Sequence, residues 1–219
     1  PLRVLYLGRI HPLKGIDILQ SAVKGLDIKM STLATFPKML GVADPLKFAQ
    51  TLPGVPTNSE WDCGLKIQGC EASQSVVKLC DVPVYGQGRL LGIFSVFNPG
   101  HFGDIKFGTS TSERRIGGEL GLDTADTLCR ALHGEANLGP ISAYATFAIP
   151  IGKKSSLTLS GRRSFIDIFY KGLLKMDGAE MNYKFFDINA SYLYVPDKFN
   201  KIDANAYFGL DTGMAGADR

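Results

Sequence analysis

Four cysteines and three histidines give this 219-residue chain its main capacity for metal or redox chemistry, and their spacing brings none of them together. Cys63, Cys70, Cys80 and Cys129 contain no Cys-x-x-Cys pair, and His11, His101 and His133 are scattered. The ligand spacing of a zinc site is missing. In an oxidising compartment a disulfide among Cys63, Cys70 and Cys80 is open to the chain, with a pairing that sequence cannot give. Buried free thiols are the default expectation. Two arginine pairs remain. Arg162 and Arg163 adjoin Ser164 and could meet an anion, but a strand would send one toward a wet interior and let the other snorkel at an interface. Arg114 and Arg115 read as a solvated turn. The residues therefore define no catalytic group, no cofactor-binding group and no metal site, and they name no substrate-binding residue. An enzyme is not expected.

The elements that would position any site are more informative than the reactive residues. In the last segment Ile202, Ala204, Ala206, Phe208 and Leu210 share one face, while Asp203, Asn205, Tyr207 and Asp211 share the other. The segment before it sets Phe186, Ile188, Ala190, Tyr192 and Tyr194 against Asp187, Asn189 and Ser191. From Ile141 to Ile151, alternate apolar residues oppose Ser142, Tyr144 and Thr146, and Leu157, Leu159 and Phe165 oppose Ser156, Thr158, Ser160, Arg162 and Ser164. Bilayer-spanning strands need about 9 to 11 residues, and soluble strands average about 5 to 6. These runs have the longer length. Gly152, Lys153 and Lys154 make one tight turn and Asp197 to Lys201 another, with a long loop from Asp167 to Glu180 between them. Short, long, short is the order produced when turns alternate between the two sides of an outer-membrane barrel. Tyr192 and Tyr194 suit an aromatic girdle.

Composition narrows the classes. A net charge of +3 without a basic, aromatic-interleaved cluster argues against nucleic-acid binding. No run approaches the 18 apolar residues of a transmembrane helix, which a barrel does not need. The start at Pro1, without a signal peptide, and the end just after a strand-like segment are what a fragment would show. Five strands would leave two unpaired edges in lipid, so the chain is not expected to span a bilayer alone.

Ahead of the long strands, Asp44 can cap a helix over 43–52 with Pro45 in its first turn, stopped by Pro53 and Gly54. Leu65 and Ile67 alternate with Lys66 and Gln68 as a short strand ending at Gly69. A second strand over 75–79 turns at Cys80 and Asp81 into Val82, Pro83, Val84 and Tyr85. Phe94, Phe97, Phe102 and Phe107 are expected to pack a core. Here the strings PKMLGVADPLKFAQTLPGV, GLKIQGCEASQSVVKLCDVPVYG, GIFSVFNPGHFGDIKF and RRIGGELGLDT resemble the plug domain of TonB-dependent outer-membrane receptors. The resemblance is to the Bacteroidetes type that carries a carboxypeptidase-regulatory-like domain ahead of the plug, and it extends from Asp27 to Gly213.

That resemblance implies an α+β fold: a small mixed α/β plug over 27–130, then the first five or so strands of an antiparallel transmembrane β-barrel over 131–219. Gly117 and Gly118 would precede the last plug strand, and Leu132 to Gly139 would be the first barrel strand. It further implies a nutrient importer of the outer membrane, inactive as a fragment. Its partners would be the inner-membrane TonB energy-transducing complex, outer-membrane lipid and a surface lipoprotein. Two departures stand out. Gln68, Gly69 and Cys70 replace an Arg-Gly-Gly pattern, and Cys80 and Asp81 replace Asp-Gly, so each turn lacks a glycine that adopts positive φ freely. The missing arginine removes a charge that could tie plug to wall, and no latch role passes to Gln68.

Residues 1–26 differ in kind. A buried strand, His11 to Gly15, and a helix with Ile16, Leu19, Ala22 and Val23 on one face resemble the start of the nucleotide-sugar domain of group-1 GT-B glycosyltransferases. Mapped on that pattern, Gly8 would approach a diphosphate, with Arg9 and Lys14 neutralising it. One βα element has too little second face to form such a domain. A glycosyltransferase fragment or fusion is the alternative that this block raises.

Overall fold

The computed structural model describes residues 26–29, 41–57, 62–89, 92–109, 115–169, 175–176 and 179–217. The strand-loop-helix expected over 1–26 therefore lies outside the described residues as far as residue 25, as does Arg114. The described chain is mostly β-strand with few helices.

A mixed five-stranded sheet forms the smaller layer, from β1 (Leu26–Lys29), β2 (Val76–Leu79), β3 (Val82–Pro83), β6 (Asp104–Gly108) and β7 (Glu119–Asp123) in the order β1-β6-β7-β2-β3. Among the described residues of this sheet only β2 and β7 run parallel. Leu26 already pairs with Phe107, so this sheet starts one residue earlier than Asp27. Helix α1 (Pro45–Ala49) covers it. Asp44 caps the helix as anticipated, one carboxylate oxygen accepting from Leu46 N at 2.9 Å and Lys47 N at 3.3 Å. The core between helix and sheet contains Leu46, Ala49, Leu65, Ile67, Val77, Phe97, Phe102, Ile105, Phe107, Leu120 and Leu122. Phe94 is the exception among the four aromatics. It sits on the two-residue β5 (Phe94–Ser95), paired with β4 (Gly88–Arg89), and packs on Phe185 outside that core.

The strand expected over 65–69 is instead a 3₁₀ turn, Ile67–Gly69. Leu65 and Ile67 are both buried, but Gln68 at φ 58° and Gly69 at φ 76° reverse the chain before a strand can run. Cys80 and Asp81, at φ 47° and 66°, close the β2–β3 hairpin in the doubly left-handed conformation that glycine usually supplies. Gly117 and Gly118 precede β7 as expected. A Cβ on Gly118 would lie 2.4 Å from Ile67 Cγ2 and 2.5 Å from Gly108 O, so only glycine fits there.

The larger layer is an antiparallel sheet of β8 (His133–Leu138), β9 (Ser142–Ile151), β10 (Ser155–Ser164), β11 (Lys175–Met176), β12 (Ala179–Tyr194) and β13 (Ile202–Ala217). The long strands match the sequence expectation. β12 and β13 run to 16 residues each, so Ala179 and Glu180 belong to a strand rather than the long loop. That loop carries a helical turn, α2 (Ile166–Phe169), and β11. In the 195–201 turn the Asp197 carboxylate accepts from Phe199 N and Asn200 N, both at 2.8 Å. Among the described residues this sheet does not close: β8 pairs only with β9, and β13 only with β12.

Candidate functional site: a charged seam between the two layers

The long-stranded sheet is built inside out. Its polar face is buried: Ser142, Thr146, Ser160, Arg162, Ser164, Asp187, Asn189 and Ser191 are all below 9 % exposed. Its apolar face is open, with Phe147, Ile151, Leu159, Phe186, Ile188, Phe208 and Leu210 exposed. A water-soluble sheet with one wet face orients the opposite way. The smaller layer covers the polar face, and the seam between them is the site.

Register delivers its centre. Arg162 on β10 lies directly opposite Asp187 on β12. Asp187 is fully buried and Arg162 1 % exposed. Arg162 Nε donates to Asp187 Oδ2 at 2.9 Å, and Nη2 stands 2.8 Å from the same oxygen. The guanidinium also donates to two carbonyls of the smaller layer, Ser95 O at 2.8 Å and Phe97 O at 3.2 Å. It is thus a tie between layers, correcting the expectation that Arg162 faces a wet interior. Arg163 does point outward, half exposed, as expected.

From the other side Arg89, 4 % exposed at the tip of β4, reaches Asp187 Oδ1 and Asp211 and donates to Tyr207 Oη at 2.6 Å. Tyr207 Oη donates onward to Asp187 Oδ1 at 3.1 Å. Gly209, opposite Asp187 on β13, makes room: any Cβ there would run into Arg89 Nη2. Two cations meet two anions, so the cluster is neutral. The Phe185 ring lies beneath both guanidiniums, 5.0 Å from Arg162 Cζ and 5.7 Å from Arg89 Cζ.

A second tie lies further along the strands. His101, on the loop before β6, is bracketed by Ser160 Oγ at 2.9 Å from Nδ1 and Ser191 Oγ at 2.6 Å from Nε2. Burial pushes its pKa down to about 4, against the opposing charge of Asp203. The ring is therefore neutral, donating to one serine and accepting from the other. Gly100 lets this loop touch β9, since a Cβ there would stand 2.7 Å from Thr146 Oγ1. Asp44 joins α1 to the seam, its second oxygen accepting from Ser95 N at 2.6 Å. Beside His101, a cavity of about 330 Å³ is lined by Val84, Phe102, Asn189, Asp203, Asn205 and Tyr207.

Sequence reasoning did not single out Arg89, His101 or Asp187 for the seam. The alternation had already put Asp187 and Arg162 on polar faces, so register alone was needed to join them. Arg89 carried no such signal, because its hairpin is two residues per strand. Arg115, read as a solvated turn, donates to Ser73 O at 2.6 Å and stands over the Tyr85 ring. All four cysteines are free thiols, and burial pushes Cys63 up to about 12.

The arrangement defines a class: a small α/β layer docked through buried charge onto the polar face of an antiparallel sheet whose other face is apolar. Solved structures with this fold include the siderophore receptor PirA from Pseudomonas aeruginosa, at TM-score 0.58 and 13 % identity over 87 % of this chain and 34 % of that one. The siderophore receptor PirA from Acinetobacter baumannii matches at TM-score 0.59 and 14 % identity, over 91 % of this chain and 33 % of that one. At such identities the likeness is one of fold, and the chain spans about a third of either receptor. Both neighbours are receptors rather than enzymes, and neither supports the glycosyltransferase alternative. No protein-family model and no curated protein matches the chain.

Proposed function

We propose that this chain comprises the plug, over 27–130, and the opening wall strands, over 131–219, of a TonB-dependent receptor that imports a nutrient across the outer membrane. The observation that carries the reading is the inside-out sheet. Exposed Phe147, Phe186, Ile188, Phe208 and Leu210 on one face and buried Arg162, Asp187 and Asn189 on the other suit a wall with lipid outside and a docked body inside. The fold likeness to two siderophore receptors supports the same class.

On this reading the seam holds the plug in the lumen at rest. Arg89 of the plug grips Asp187 and Asp211 of the wall, Arg162 of the wall holds the plug carbonyls Ser95 O and Phe97 O, and the wall-facing loop at His101 supplies neutral hydrogen bonds. On the same reading, work on the plug from the inner-membrane TonB complex would part these buried charges, whose separation from their partners is costly. A surface lipoprotein belongs to the proposal as a partner through the sequence resemblance. The test is labelling of Phe186→Cys and Phe208→Cys by a lipid-soluble thiol reagent in the full-length, membrane-assembled protein. Both should label while Asn205→Cys on the inner face does not. Equal labelling of inner and outer positions would end the membrane reading.

A further inference from the structure

The outer face of the long-stranded sheet bears a seat that its packing does not use. In the rows from Tyr194 to Lys184 the outward residues are apolar or small except for Ser155, Thr212 and two cations, Arg163 and Lys184. Ala136, Ala145 and Gly161 stand side by side across β8, β9 and β10 and form the floor of a depression of about 510 Å³. Leu138 and Phe186 flank it, and Arg163 stands on the side nearest the long connection. The Arg163 side chain is 54 % exposed, and it meets Asp167, 19 % exposed, only at a long 3.5 Å.

Two features of this patch need a partner. A guanidinium on a lipid-facing surface is unfavourable unless it reaches an anion or water, and snorkelling carries it toward the nearer headgroups. A row of small side chains across three strands, with Leu138 and Phe186 in the outward row on one side and Phe147 and Leu159 in the row on the other, leaves a furrow across the strands, where a flexible hydrocarbon chain recovers the missing contacts. Arg163 stands in the row beside the furrow, next along β10 from Gly161 on the same face, and Lys184 lies one row further on, away from Tyr192 and Tyr194, so headgroup and tail have distinct places. Gly161 is open above its Cα: an added Cβ would meet nothing nearer than Asp187 O at 3.8 Å. Among the described residues, no neighbour requires its lack of a side chain.

We infer that this furrow binds an anionic, phosphate-bearing lipid, one acyl chain lying over Ala136, Ala145 and Gly161 and the phosphate paired with Arg163, with Lys184 close by. Arginine forks suit phosphate oxygens in a way a point charge does not. The proposal rests on the membrane reading above, and its test separates the two.

The full-length protein would be placed in nanodiscs of equal phosphatidylcholine and phosphatidylglycerol, and retained lipid counted by native mass spectrometry. Phosphatidylglycerol should be kept over phosphatidylcholine by about fivefold, the preference one arginine supplies beside anionic lipid. Arg163→Gln should bring that ratio to about one, and Gly161→Leu should displace retained lipid of both kinds by filling the furrow. A ratio unchanged in Arg163→Gln, or retention unchanged in Gly161→Leu, overturns the assignment, as does a protein in place of lipid. If Phe208→Cys labels from the lipid phase while no lipid is retained, only the furrow proposal fails. If Phe208→Cys does not label, the membrane reading fails with it.

Discussion

Asp187→Asn is the sharpest perturbation of the seam. It keeps the shape of the side chain and removes the charge that two buried cations share. Arg162 is 1 % exposed and Arg89 4 %, so neither can recover solvation where it stands. Removing one partner from such a buried pair costs about 3–5 kcal/mol, because the surviving charge is left uncompensated. Asp211 is 44 % exposed and can answer only Arg89. Arg162 would keep its two carbonyls, Ser95 O and Phe97 O, and lose its counter-ion. With about 1.4 kcal/mol per tenfold, the undocked population should rise at least about a hundredfold. The assay is trypsin cleavage after Arg89, which is 4 % exposed while the layers are docked and sits on a hairpin of two residues per strand. Cleavage there follows the open population when closing is fast.

Two controls frame the result. Asp211→Asn should change cleavage by no more than about fivefold, since a solvated partner is worth about 1 kcal/mol or less. The double variant Arg162→Met, Asp187→Leu should recover part of the loss, because apolar replacement removes the stranded charge, although Arg89 then keeps only Asp211 and Tyr207. If Asp187→Asn and Asp211→Asn cleave at the same rate, the seam does not hold the layers together as argued.

The other expectations concern backbone and titration. Gln68→Gly should stabilise by about 1 kcal/mol, read as a rise in melting temperature, since Gln68 holds φ 58° against its Cβ. Gly118→Ala should destabilise by about 1–3 kcal/mol in the same melt, its Cβ meeting Ile67 and the Gly108 carbonyl. His101 is neutral when docked, with its pKa lowered from 6.5 to about 4. Above pH 6.5 it makes no pH-dependent contribution. As pH falls from there toward 4 the undocked state binds a proton that the docked state refuses, and about 3 kcal/mol of stability is lost. Melting temperature should fall across that window and His101→Gln should flatten the fall; an unchanged slope would remove His101 from the account.

Much of the large sheet was legible because a period of two needs no partner to be read. Ile202 to Asp211 states its two faces outright, and Phe186 to Tyr194 repeats them. The capped helix at Asp44 and the turn at Asp197 were equally local, each set by a side chain reaching backbone two or three residues away. The expected strand at 65–69 failed because alternation over four residues cannot be distinguished from two buried residues flanking a reversal. The site was the least legible part. Arg162 and Asp187 are 25 positions apart and Arg89 lies 98 from Asp187, and no local pattern carries that distance.

By itself the sequence determined strand length, face polarity and the places where the chain must turn, since these follow from side-chain alternation and local φ preference. Tertiary structure decided which polar face is buried and what is buried against it. That choice depends on one strand register and on the docking of a second layer. Those are sums over many weak contacts, and only when they are assembled does a fully buried Asp187 find both of its arginines.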